Sequence, residues 1–246
     1  MPRVVLQKAL AQAGIASRRH AEELILAGRV WINNRQVRKL GTRVDVAIDK
    51  IIVDKKPLSF KTELVYFLLN KPAGVVATTS DTHKRLTVTA MIPTKERIVP
   101  VGRLDINTTG LLLLTNDGDL VYKLTHPKFE NEKEYEALIQ IPQTWDKPRL
   151  IEMLKKFVQG VYITGGFKTS PAKVKIISQK TNDRYYISII IHEGHKHQVR
   201  QMINAIGASV VELKRVRMDS LSLGELPVGQ WRKLTAEEIA ALKKSA

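Results

Sequence analysis
The sequence predicts an α+β protein in which a small basic module precedes a larger domain. Three observations lead there. Charge density changes near residue 60: residues 1–60 hold 12 Lys or Arg against 5 Asp or Glu, a net +7, and all later residues together add only +9. In the small part a helical pattern comes before short strands, whereas the larger part intersperses apolar runs of strand length with helical stretches. The total of 246 residues exceeds the usual single domain and suffices for a small module joined to a sizeable core.

In chain order, Leu6, Leu10 and Ala13 recur on one helical face and Gly14 interrupts it. Ser17 then N-caps a second helix that runs to about Ala27, where Gly28 ends it. The segments VWINN and RQVR read as strands about a turn at Asn33 and Asn34, and RVDVAIDKIIVD continues the strand region up to Lys55, Lys56 and Pro57. Arg18 and Arg19 occupy the first turn of the second helix, where positive charge opposes the helix dipole. That cost is offset if the helix start and both guanidinium groups face phosphate. An ordinary solvated charged face is the alternative.

The larger domain opens on LVYFLLNKPAGVV at residue 64, a core strand stopped by Lys71 and Pro72, with a turn at Gly74. Residues 80–97, rich in Thr, Lys and Arg, read as an exposed excursion. In VGRLDINTTGLLLLTNDGDL, residues 101–120, Asp105 sits beside a glycine turn and before an apolar run. A carboxylate there is costly unless it meets a partner charge or does chemistry; a lone Asp of this kind more often closes an ion pair or a turn. Leu111 to Leu114 predict a buried element, and Asp117 and Asp119 lie in a turn, where carboxylates cap more often than they bind metal.

Alternation through Lys133, Tyr135, Ala137 and Ile139 predicts a strand with one face toward a cleft. A helix within 148–165 precedes VYITGG, and KVKIISQ and RYYISIII read as strands about a polar turn. Gln198 and Met202 share a helical face, with Val199 and Ile203 adjacent. Trp231 is expected to pack the C-terminal region, and Thr235 to cap a last helix above Glu238.

Composition narrows the function classes. Forty Lys and Arg against 24 Asp and Glu give +16, a field that favours polyanions such as nucleic acid. Without cysteine, disulfides, thiolate metal sites and cysteine nucleophiles are excluded. His192, His195 and His197 do not have the spacing of a helical zinc pair, so no metal is expected. The N-terminus lacks the apolar core of a secretory signal and no apolar run reaches membrane-spanning length, which predicts a cytoplasmic protein with no membrane partner.

Several segments resemble one family. GRLD-x-x-T-x-G-LLLLTNDGD resembles the catalytic motif of the RNA pseudouridine synthases, in the branch that modifies ribosomal RNA, and Asp105 is the position matching the nucleophile. KPAGV resembles the family's opening motif, which makes Lys71 a residue that positions RNA or organises the active-site rim. Arg103 matches the arginine that assists extrusion of the target nucleotide, and Tyr135 matches the tyrosine that packs on the flipped uracil. EGHKHQVRQM followed by LKRVR resembles the late motif, in which Arg200 matches the cation paired with the catalytic carboxylate. Gln201 stands where many relatives carry another arginine. His83 and Arg85 are further candidate RNA contacts.

Nearly all of the first 60 residues resemble an S4 RNA-binding domain, which implies backbone contacts from Arg18, Arg19, Arg29, Arg35, Arg38, Lys39 and Arg43. The resemblance therefore implies an S4-like domain at 1–60 and a synthase domain at 61–246 built on a mixed, largely antiparallel sheet. It implies isomerisation of a uridine in ribosomal RNA, closer to the 23S large-subunit enzymes than to the 16S enzyme, by a cofactor-free monomer. A tRNA-directed synthase and a non-catalytic S4-type ribosome assembly protein are the alternatives. The latter has no need for Asp105, Tyr135 and Arg200 together.

Overall fold
The computed structural model describes residues 3–60 and 63–245. The chain divides into two compact units: the first is the chain up to Val65 with the short segments Thr94–Ile98 and Asn116–Gly118, and the second is the remainder from Tyr66 onward.

In the first unit, β1 (Val4–Val5) leads into α1 (Leu6–Gln12), and α2 (Arg18–Leu26) follows. Ser17 caps α2 as its residue type predicts, its hydroxyl accepting from the His20 N–H at 3.1 Å. Gly28, at φ 71°, turns the chain into β2 (Val30–Ile32). Asn33 and Asn34 both take positive φ, 47° and 67°, as a two-residue type I′ hairpin requires before β3 (Arg35–Val37).

The following strand region resolves into β4 (Arg43–Val44), which pairs with β1, and β5 (Ile51–Val53), which lies between β2 and β6 (Lys56–Pro57). Between β4 and β5 the chain turns on Asp49, whose carboxylate accepts from the Asp45 N–H. Leu6, Leu10, Ala21, Leu24, Ile25, Val30 and Ile51 make the core of this unit.

The second unit runs β7 (Tyr66–Lys71), β8 (Val99–Pro100), β9 (Thr109–Thr115), α3 (Gly118–Thr125), β10 (Lys133–Gln140), α4 (Lys147–Lys155), β11 (Tyr162–Ile163), β12 (Phe167–Lys168), β13 (Lys173–Thr181) and β14 (Arg184–Ile191). It ends with α5 (Gln198–Ala205), β15 (Ser209–Met218), β16 (Leu221–Ser222), β17 (Trp231–Lys233) and α6 (Ala236–Ser245). One sheet, in the order β13-β14-β10-β15-β9-β7-β17 with β16 on β15 and β8 on β9, organises it. β9 with β15 is its parallel pairing and the others are antiparallel, so the sheet is mixed and largely antiparallel.

Strands β7 and β9 are buried on both faces, which is why they read as continuous apolar runs without alternation. In β10 the alternation holds from Tyr135 through Glu136 to Ala137 and ends at Leu138, which is buried like its neighbours. Glu134 faces away from Tyr135 and forms an ion cluster in which Arg217 donates to Glu134 at 3.1 Å and to Glu132 at 2.9 Å. At the C-terminus, Thr235 and Glu238 form the expected capping box, and the Glu238 carboxylate also holds both ends of the Arg232 fork at 2.6 and 2.7 Å. Trp231 meets Phe67 edge-to-face at 5.5 Å.

The segment 80–97 is more anchored than its composition suggests. Val76 bridges to Thr87, Val88 is fully buried, and Arg85 closes a 2.6 Å ion pair on Asp81.

Candidate active site
The turn that carries Asp105 lies between β8 and β9. Val101 and Leu104 are buried and anchor it, Gly102 takes φ 71°, and the Thr108 N–H donates to the Asp105 carbonyl at 3.0 Å. Buried anchors on both sides leave the Asp105 side chain one-third exposed, at 33%. Its wall belongs to a cavity of about 700 Å³ that also gathers Arg103, Lys133, Tyr135, Glu193, His195, His197 and Arg215. Asp105 and Tyr135, 30 residues apart, thus face one space.

Lys71 is not at the rim. It is fully buried, and its ammonium donates to the carbonyls of Pro72 at 2.9 Å, Ile106 at 3.2 Å and Thr108 at 2.9 Å. With all three protons used and no exposed surface, it clamps the Asp105 turn from beneath and does not reach RNA, which corrects its assignment as an RNA contact. Burial lowers its pKa to about 8, and the negative charge of Asp105 works against that lowering.

Arg200 does not pair with Asp105. Gln198, Val199, Met202 and Ile203 turn inward from α5 and are buried. Arg200, two residues beyond Gln198, is rotated about 200° around the helix and points elsewhere. Its guanidinium donates to the Val210 carbonyl at 3.4 Å, and it does not line the cavity.

The charge partner of Asp105 is His197, whose Nε2 lies 3.5 Å from Oδ1, within ion-pair range when the imidazole is protonated and longer than a formed hydrogen bond. His197 holds a left-handed backbone, φ 54°, at the N-cap of α5. That strained conformation turns the ring toward the turn instead of along the helix.

The loop bearing His197 is braced from both ends. The buried Gln198 side chain accepts from the His195 N–H at 2.9 Å and donates to the Glu193 carboxylate, which also accepts from the Ser170 N–H at 3.0 Å and hydroxyl at 3.1 Å. Gln201 accepts from the Thr164 N–H at 2.9 Å and donates to the Lys196 carbonyl at 2.6 Å.

Arg215 and Lys133 were given no site role from the sequence. Arg215 is 2% exposed; its Nε donates to the Leu111 carbonyl at 2.8 Å and its Nη2 has no hydrogen-bond partner among the described residues. A bulge in β15, where Val216 is the extra residue between the partners of Glu134 and Tyr135, sets Arg215 opposite Tyr135. Lys133 has its pKa lowered to about 8, first by burial and then by the charge of Arg215. The available signal was period-2 alternation: Arg215 shares its face with buried Leu213, and Lys133 shares its face with Tyr135. Arg103 is exposed at the cavity edge. Among the described residues no three His, Asp or Glu side chains are arranged to hold a metal ion, and no helix is long and apolar enough to cross a membrane.

In the first unit Arg18, Arg19, Arg35, Arg38 and Lys39 are exposed, as phosphate contacts must be. Arg43 is exposed too, with one Nη1 bond to the Arg3 carbonyl at 3.2 Å. Arg29 differs: its fork is filled by Asp54 through two 2.6 Å bonds, which hold the Asp54 pKa below the ordinary carboxylate value. Its guanidinium is exposed and committed to a carboxylate, unlike those of the other arginines named for the RNA backbone.

A family profile described as RNA pseudouridylate synthase matches residues 65–205, the span that builds the cavity from β7 into α5. The chain belongs to this family. A second profile, the S4 domain, matches residues 6–47 of the synthase. The synthase is 44% identical over 244 residues to the ribosomal large subunit pseudouridine synthase B of Bacillus subtilis (strain 168), covering 98% of this chain and 96% of the relative. It is 35% identical to the dual-specificity RNA pseudouridine synthase RluF of Salmonella typhi, covering 97% of this chain and 78% of that one. A crystal structure of a pseudouridylate synthase superimposes with a TM-score of 0.67 at 31% identity, covering 97% of this chain and 99% of that one. The synthase therefore has isomerase activity on RNA uridine.

Proposed function
We propose that this synthase converts a specific uridine of 23S large-subunit ribosomal RNA to pseudouridine, acting as a cytoplasmic monomer with Asp105 as nucleophile. The observation that carries the reading is the shared cavity of Asp105 and Tyr135, closed by a buried cation and a braced histidine. The 44% identity across 96% of a relative named for the large subunit supports the choice of RNA.

The target base is shielded in stacked RNA, so the nucleotide must first leave the stack, and Arg103 at the cavity edge is placed to fill the vacated position. The Asp105 carboxylate then attacks C1′ as the C1′–N1 bond breaks, its electron pair going to the uracil ring. In the variant route Asp105 first removes the C2′ proton. The freed base turns and C5 bonds to C1′ as the Asp105 ester is released or, in the variant route, as the proton returns to C2′; the proton lost from C5 is matched by one gained at N1. Substrate and product have the same composition, so the balance requires no co-substrate.

Tyr135 offers its ring to the base during rotation, and a closed pocket keeps the base from escaping. His197 positions Asp105 Oδ1. Arg200 joins the chemistry only by leaving the Val210 carbonyl when RNA binds. Residues 1–60 act as an S4-type anchor for the RNA backbone through Arg18, Arg19, Arg35, Arg38, Lys39 and Arg43, without supplying reactive groups.

Mapping pseudouridines in ribosomal RNA from cells with and without the gene tests the reading. Loss of a single large-subunit site is expected. Loss of a small-subunit site would reassign the substrate within the ribosome, and an unchanged map would move the target to another RNA.

A further inference from the structure
The end of α3 carries an aromatic cluster that the chemistry of Asp105 does not use. Tyr122, His126 and Phe129 follow one another at helical spacing through α3 and the 3-10 turn Pro127–Phe129. Ring centroids lie 4.9 Å apart for Tyr122 and His126, and 5.8 Å apart for Tyr122 and Phe129, which meet edge-to-face. Lys128 rests its ammonium 5.2 Å from the Tyr122 centroid and 4.6 Å from that of Phe129, and among the described residues it meets no carboxylate. Core packing does not account for the group: α3 buries Leu120 and Leu124, while Tyr122 is 49% exposed.

Two further facts point to a ligand. The His126 Nδ1 accepts the Lys128 N–H at 3.3 Å, so a neutral ring carries its proton on Nε2, a free donor. Thr125, His126 and Pro127 also line the cavity that holds Asp105 and Tyr135, so the cluster is continuous with it.

We propose that Tyr122, His126 and Phe129 form a stacking shelf for an unpaired nucleobase adjoining the target uridine, with Lys128 taking the neighbouring phosphate. This rests on the RNA-modifying reading above. Extruding a uridine deprives its neighbour of a stacking partner, and an exposed ring beside the cavity replaces what was lost. An ammonium over an exposed ring is held weakly, so an incoming base displaces it while phosphate remains within its reach. The net charge of +16 over the whole chain suits an RNA strand.

The test compares the full-length wild type with Tyr122→Phe and Tyr122→Leu on unmodified transcripts of both ribosomal RNAs, by equilibrium binding, steady-state kinetics and thermal unfolding. Tyr122→Leu is expected to raise KM and Kd by roughly tenfold, with little of the loss in kcat and none in the unfolding midpoint, and Tyr122→Phe is expected to restore most of the affinity. Wild-type Kd and KM in Tyr122→Leu would overturn the shelf. So would a loss in kcat tracking a lower midpoint, which would mean that the rings only fasten α3 to its turn. Absence of pseudouridine from both wild-type reactions would instead reject the substrate assignment, and the Kd comparison would still decide the shelf.

Discussion

Gly110 lies against the backbone of Arg215: in the parallel pairing of β9 with β15 the two are register partners, and a Cβ on Gly110 would overlap the Arg215 carbonyl oxygen. Its φ of 102° is also outside what L side chains adopt readily. Gly110→Ala is therefore expected to destabilise the protein by about 3 kcal/mol or more. Urea unfolding measures this, and a near wild-type midpoint would show that the two strands separate cheaply.

Asp105→Asn keeps the shape of the side chain and removes its charge and most of its nucleophilicity. The folded variant is expected to bind RNA and to form essentially no pseudouridine in single turnover with excess enzyme. Near-normal product from a folded variant would remove Asp105 from the covalent step.

His197→Gln should reduce single-turnover rate by roughly 10- to 100-fold by releasing Oδ1 of Asp105, while RNA affinity changes little. Comparing His197→Gln with His197→Phe separates a polar from a merely steric contact, because Gln keeps a hydrogen-bonding group toward Asp105 and Phe does not. Wild-type rates in both variants would reduce the 3.5 Å approach to coincidence.

Lys133 is expected to give stability an unusual slope on the alkaline side. Its folded pKa is about 8 against an ordinary 10.5. Below about pH 8 the folded chain bears the whole cost of the buried charge; between about 8 and 10.5 the unfolded chain binds the extra proton, so stability rises with pH. Lys71 contributes in the same direction. The gain in unfolding free energy from pH 8 to 10 should be smaller in Lys133→Met than in wild type, and an equal gain in both would contradict the burial effect.

Replacing Arg18 and Arg19 together by Ala should weaken RNA binding and flatten its salt dependence. Two lost phosphate contacts lower the slope of log K against log salt by between about 1.4 and 1.8. An unchanged slope would mean that the exposed first turn of α2 faces only water.

Much of the fold was legible because its signals are local. Ser17, the Asn33 and Asn34 hairpin, the inward face of α5 and the Thr235 capping box each follow from a few neighbouring residues, and the structure has all of them. Asp105 and Tyr135 were legible through motifs, and they do share a cavity. Lys71, Arg200 and Arg215 were not. Whether a lysine after an apolar run is rim or clamp depends on carbonyls 35 and 37 residues away. KRVR looks like a solvated basic stripe until β9 covers Arg215 from across the sheet. The choice between Arg200 and His197 turns on one left-handed residue that sets where α5 begins.

The position of β15 also governs when the active site comes into being. Without it the sheet is two separate pieces, β13-β14-β10 and β9-β7, with Tyr135 on one and the Asp105 turn attached to the other. Both pieces precede residues 209–218 in the chain, yet nothing in the strand ladder joins them until that segment slides between. Long-range insertion of this kind is slow relative to forming local hairpins. The nascent chain therefore passes through a stage with an RNA-anchoring front end and no assembled catalytic cavity, and becomes an enzyme only when its last long strand is in place.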